Sequence, residues 1–138
     1  MHYQNNLMQV LIIDNSLPIV QRLHELLSEV SNISELSSAT GHDQALQLFM
    51  LQKPGIVVLD LHLPENKSYD LLKEIKKVAP KTVLIILSVE NDEYTQQQCR
   101  MLGADFYFDK YNEFEKIAVV INDYTIKEAL NNEKRKTN

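Results

Sequence analysis

Three short apolar runs punctuate the chain: Val10-Leu11-Ile12-Ile13, Ile56-Val57-Val58-Leu59 and Val83-Leu84-Ile85-Ile86-Leu87. Each is rich in β-branched side chains and closes on a polar residue. Because they lack polar alternation, these runs predict strands buried on both faces, the signature of a parallel sheet. Weaker strands are expected over 33–39 and 105–108. Between the runs the apolar spacing turns helical. Ile19, Leu23, Leu26, Leu27 and Val30 fall on one face, with Ser16 as N-cap and Pro18 in the first turn. Further helices are predicted over 43–52 before Pro54-Gly55, over 69–78 before Pro80, and over 92–102 ending at Gly103. A last helix, capped by Asn112, carries Phe114, Ile117, Val120, Ile121 and Tyr124 on one face. This alternation predicts an α/β fold: a doubly wound five-stranded parallel sheet, (βα)5, in three αβα layers with right-handed crossovers.

The 138 residues, 44% hydrophobic and 24% charged, suit one self-folding domain. A net charge of −5 argues against direct nucleic-acid binding, whose affinity comes largely from a basic field. The lone Cys99 cannot form an internal disulfide and reads as a small packing residue, and no Cys/His cluster has zinc spacing. No apolar run reaches membrane-spanning length, and the polar start, His2-Tyr3-Gln4-Asn5-Asn6, is unlike a secretory signal. The expectation is a cytoplasmic protein with no direct nucleic-acid or membrane partner. The domain is expected over 1–130, followed by a polar tail over 131–138 that frays or prolongs the last helix. His2, His24 and His42 read as surface residues.

In open parallel sheets, ligands bind outside the carboxyl ends of the strands, where strand order switches. The expected strands end in Asp14-Asn15, Asp60, Ser88 and Asp109-Lys110. Taken singly, an acid after a strand usually caps a helix or starts a turn. Gathered on successive strand-to-helix loops, the two acids, an amide, a hydroxyl and an ammonium point to one shared site.

The ordered set of stretches Val10-Leu11-Ile12-Ile13-Asp14-Asn15, Val57-Val58-Leu59-Asp60-Leu61-His62-Leu63-Pro64, Val83-Leu84-Ile85-Ile86-Leu87-Ser88 and Gly103-Ala104-Asp105-Phe106-Tyr107-Phe108-Asp109-Lys110 resembles the receiver domain of bacterial two-component response regulators. The resemblance covers nearly the whole chain and implies a flavodoxin-like fold. It implies that Asp60 accepts a phosphoryl group from a histidine kinase, a phosphotransfer protein or a small phosphodonor. It also implies a Mg²⁺ ion held by Asp14, Asn15, Asp60 and the main-chain carbonyl of His62. Ser88 stands at the hydroxyl position that meets the phosphoryl group, Lys110 at the cation position and Tyr107 at the aromatic switch position. Output would pass to a downstream protein, or to a second copy of the chain, through the face made by the fourth helix, fifth strand and fifth helix. No DNA-binding or enzymatic output is expected within the chain itself.

These roles are chemically coherent. An aspartate oxygen attacks phosphorus only if the growing negative charge is compensated, which a divalent ion and Lys110 would do. Mg²⁺ keeps several waters, so one or two carboxylates and a carbonyl suffice.

The chain departs from the family at Asn15, where a second acid is usual, at Ser68, where glycine is common, and at Tyr111, where proline is common. Asn15 keeps open a second reading, a receiver-like docking module that works without phosphate. His62 and Glu90 are either solvated loop side chains or, as the resemblance implies, flank the water that removes the phosphoryl group. Tyr107 is equally a half-buried strand aromatic. An enzyme is the weakest reading. A haloacid-dehalogenase-type phosphatase wants an acid where His62 stands, and Asp14-Asn15-Ser16-Leu17-Pro18 lacks the glycines of a nucleotide cradle.

Overall fold

A computed structural model describes residues 8–137. The polar start and His2 lie outside the described residues. Five strands, β1 (Met8–Ile13), β2 (Ile33–Ala39), β3 (Ile56–Asp60), β4 (Val83–Ser88) and β5 (Phe106–Asp109), alternate with five helices. These are α1 (Leu17–Leu27), α2 (His42–Gln52), α3 (Lys67–Val78), α4 (Glu93–Met101) and α5 (Lys116–Thr137). The strands form one sheet of order β2-β1-β3-β4-β5, with every neighbouring pair parallel. The winding direction reverses between β1 and β3, which makes their carboxyl ends the switch point.

The uninterrupted apolar runs are the strands that need burial on both faces. Leu11, Ile13, Val57, Leu59, Leu84 and Ile86 pack with Phe49 of α2, Leu71, Leu72 and Ile75 of α3, and Cys99 of α4. The alternate residues Val10, Ile12, Ile56, Val58, Ile85 and Leu87 pack with Val20, Leu23 and Leu27 of α1 and Ile117 and Ile121 of α5. Period-two strands between two helical layers give the αβα sandwich. Cys99 is fully buried, and burial pushes its thiol pKa up to about 11, so it packs rather than reacts.

The helix boundaries have local causes. Ser16 caps α1 by accepting the Ile19 N–H, and Asp92 caps α4 by accepting the Thr95 N–H at 2.9 Å. Gly103 follows α4 at φ 111°, a left-handed turn that glycine enters without strain.

Three expectations are corrected. Asn112 does not cap α5, which begins at Lys116; the Asn112 N–H is taken by Asp109. His42 is not a free surface side chain: it bridges α2 to α3, with Nδ1 2.8 Å from Asp43 Oδ1 and Nε2 3.2 Å from Glu74 Oε2. The first helix stops at Leu27, so Val30 lies beyond it. The segment assigned to a polar tail continues α5 as far as Thr137. Among the described residues no helix is long and apolar enough to cross a membrane.

Candidate phosphoacceptor site

Sheet register brings the strand ends together. Ile13 pairs with Leu59, Asp60 with Leu87, and Ser88 with Asp109. Asp14 and Asp60 therefore emerge side by side at the switch point, with Ser88 and Lys110 on the strands beyond. Lys110 is fixed there by its main chain, whose N–H donates to the Ser88 carbonyl at 2.9 Å.

One ammonium serves two carboxylates. Lys110 Nζ lies 3.0 Å from Asp14 Oδ2 and 3.3 Å from Asp60 Oδ1, and the three residues are 8%, 1% and 2% exposed. Asp14 Oδ1 also accepts the Ser16 N–H at 2.8 Å, and Asp60 Oδ1 accepts the His62 N–H at 3.0 Å. Asp14 Oδ2 is a buried oxygen whose one close cation among the described residues is Lys110, and no other donor among them reaches it. Asp60 Oδ2 likewise has no protein partner among the described residues.

Two buried anions thus face a single cation. Burial above all, and then the charge of Asp60, hold the Asp14 carboxyl above its ordinary pKa against the Ser16 amide and Lys110. An acid raised in the folded state binds protons more readily there than in the unfolded chain. Its ionisation therefore costs stability, and the cost grows as pH rises from the unfolded pKa through the folded one. The cost is present in full once pH lies above the folded-state pKa. Asp14→Asn, which keeps Oδ1 for the Ser16 amide, is expected to stabilise the fold by about 1 kcal/mol, roughly 3–5 °C in a thermal melt. A lower melting temperature would mean that Asp14 is held in place by its charge.

The residues fit a hard divalent cation. Besides Asp14 Oδ2, the His62 carbonyl accepts no hydrogen bond among the described residues. Asn15 is exposed, and its amide makes no side-chain hydrogen bond among them. No group of three or more His, Cys, Asp or Glu side chains among the described residues could hold a metal. The donors expected from the sequence, two carboxylates, one amide and one carbonyl, are all oxygen, which would suit a cation that keeps its own waters.

The β3–α3 loop is shaped by Ser68, a residue whose part in the site the sequence does not disclose. Its Oγ donates to the Asp60 carbonyl at 2.6 Å and accepts the Leu63 N–H at 3.0 Å, fully buried. This tie closes the loop over a turn, Pro64–Asn66, in which Glu65 (φ 62°) and Asn66 (φ 56°) are both left-handed. Ser68→Ala leaves a buried carbonyl and amide unpaired and is expected to cost about 1–3 kcal/mol by denaturant unfolding. An unchanged midpoint would show that water replaces the hydroxyl.

Above the site, Ser88 Oγ accepts the Glu90 N–H at 3.0 Å and lies 3.3 Å from His62 Nε2. His62 Nε2 is also 3.7 Å from Glu90 Oε1, both side chains about half exposed. The two loop side chains approach each other beside Ser88 while both remain about half exposed to solvent. Tyr107 is half-buried against the core under α4, and its hydroxyl donates to the Glu90 carbonyl at 2.7 Å. It is a partly buried aromatic that is also tied to the β4–α4 loop.

A doubly wound sheet with paired acids, a hydroxyl and a lysine at its switch point defines a class of α/β phosphate-handling domain. Residues 10–122 match the family model described as response regulator receiver domain, and the chain belongs to that family. It is 26% identical over 114 residues to a sensory transduction protein, LytT, of Enterococcus faecalis, covering 83% of this chain and 46% of the relative. It is 24% identical over 117 residues to a probable C4-dicarboxylate response regulator, DctR, of Bacillus subtilis, covering 84% and 51%. The chain thus spans about half the length of these curated relatives. In fold it is similar to the signal receiver domain of a DNA-binding response regulator from Colwellia psychrerythraea, with TM-score 0.79, 20% identity and coverage of 85% and 97%.

Proposed function

We propose that Asp60 is the phosphoacceptor of this receiver and that its Oδ2 is the attacking oxygen. The observation that carries this reading is the buried Lys110 ammonium in contact with both Asp14 and Asp60, while Asp60 Oδ2 has no partner among the described residues. The donor is a phosphohistidine of a kinase or phosphotransfer protein, or a small phosphodonor such as acetyl phosphate. Oδ2 forms a bond to phosphorus as the bond from phosphorus to the leaving group breaks, and that group departs with the electron pair.

Lys110 and the Ser88 hydroxyl meet the phosphoryl oxygens that gain charge. Asp14, Asp60, Asn15 and the His62 carbonyl are the groups that would hold Mg²⁺, which when bound offsets the charge of the acids and of the phosphoryl group. A module that docks without phosphate has no use for a lysine held between two buried carboxylates, so the docking reading is not favoured.

Tyr107, on β5, links the site to the face made by α4, β5 and α5 through its bond to the Glu90 carbonyl at the start of the β4–α4 loop. A dianion on Asp60 draws Ser88 and Lys110 inward and redistributes Tyr107 and the β4–α4 loop, altering that face for a downstream protein or a second copy. His62 and Glu90 screen the mixed anhydride from water. Alanine at His62 is expected to speed phosphoryl loss about threefold or more; an unchanged lifetime removes that role. Borohydride reduction after acetyl phosphate treatment tests the acceptor directly. Conversion of residue 60 to homoserine is expected, and conversion at another acid would overturn the assignment.

A further inference from the structure

We infer that Asp109 is the positioning residue for Lys110, replacing with a carboxylate knot the support that a proline after the lysine would give; the inference rests on the proposed role of Lys110. Lysine carries its charge on a long, mobile stem, so holding Nζ between Asp14 and Asp60 demands a fixed main chain on both sides. On one side the Lys110 N–H is bonded to β4. On the other, Asp109 Oδ1 accepts the N–H groups of both Tyr111 and Asn112 at 2.8 Å. Glu113 Oε1 accepts the Asp109 N–H at 3.0 Å, and the Glu113 N–H donates to the Asp109 carbonyl at 3.1 Å. Four hydrogen bonds close residues 109–113 into one turn with Lys110 inside it, an arrangement that mimics a backbone turn through an aspartate side chain.

Proline at 111 has no N–H to donate, so Tyr111 and Asp109 belong together: the tyrosine amide replaces the ring as the device that sets the turn. Asp109 is 7% exposed as a residue, and the two amide donors hold its carboxyl below the usual carboxylate range. It touches neither Asp14, Asp60 nor the Lys110 ammonium, so it acts only through the lysine's main chain.

The test measures initial phosphoryl uptake from acetyl phosphate with Mg²⁺ for Asp109→Ala and Asp109→Asn, each with Lys110 present and in the Lys110→Ala background. Asp109→Ala is expected to lower the rate about tenfold when Lys110 is present and to add less than about twofold when it is absent. Asp109→Asn keeps the accepting oxygen and is expected to restore most of the rate. Equal losses in both backgrounds, or a loss in Asp109→Asn as large as in alanine, would overturn the inference. If the wild type takes up no phosphoryl group, the proposed function fails separately, and nitrogen NMR of the Lys110 ammonium then decides. A distinct signal in wild type and Asp109→Asn that collapses in Asp109→Ala supports positioning; an unchanged signal in Asp109→Ala overturns it.

Discussion

Lys110→Ala is expected to slow phosphoryl uptake at Asp60 by about a hundredfold or more, as loss of a single preorganised charge donor does in buried sites. It is also expected to cost about 3–5 kcal/mol of stability, because it leaves two acids without a counter-charge. The lysine and both acids are almost fully buried, so solvent does not screen the loss. Asp14, already held above its ordinary pKa by burial and by Asp60, would rise further. The destabilisation should therefore shrink as pH falls and Asp14 takes up a proton. Mg²⁺, supplying positive charge to the same oxygens, should raise the melting temperature more in Lys110→Ala than in the wild type. Chemical and thermal unfolding with and without Mg²⁺ check the stability effect, and acetyl phosphate kinetics check the rate. An alanine variant of wild-type stability would mean that the acids are not held by this cation.

Asn15→Asp is expected to have the largest effect on metal affinity. Asn15 follows Asp14 directly and is exposed, with its amide making no side-chain hydrogen bond among the described residues. The substitution therefore breaks nothing and adds a full charge beside the proposed cation position. A unit charge about 4 Å from another is worth roughly 4 kcal/mol at an effective dielectric of about 20 and about 1 kcal/mol in bulk water. For an exposed position beside a divalent ion, a gain of about tenfold in Mg²⁺ affinity is the expectation. Without Mg²⁺ the same variant should be less stable than wild type, since a third acid joins Asp14 and Asp60. Mg²⁺ titrations followed by NMR, with melts in chelator, read both. Equal Mg²⁺ affinity in the two proteins would show that residue 15 does not face the ion.

The site residues were legible because parallel strands are buried on both faces. Each apolar run has to stop where the chain leaves the sheet, so Asp14, Asp60 and Ser88 stand out as the polar positions that close the runs, with Lys110 directly after Asp109 at the end of the fifth strand. The pairing of Asp14 with Asp60 follows from strand order, which composition does not carry and the winding rule supplies. What escaped was chemistry inside loops. Ser68 reads as a departure from glycine, yet its hydroxyl ties Asp60 to Leu63. Asn112 reads as a helix cap, but Asp109 takes its amide and moves the start of α5 to Lys116. In both cases a side chain competes for a main-chain group several positions away, which periodicity does not register. His42 was misread for a related reason: its bridge to Glu74 is thirty-two positions away in sequence.

The central claim, that Asp60 accepts a phosphoryl group in this oxygen-lined site, is tested most directly by intact-protein mass after incubation with acetyl phosphate. The measurement is made with and without Mg²⁺, on the wild type and on Asp60→Ala. The account predicts a single phosphoryl adduct that requires both Mg²⁺ and Asp60. No adduct on folded wild-type protein across a broad Mg²⁺ range, or an adduct that survives in Asp60→Ala, would contradict it.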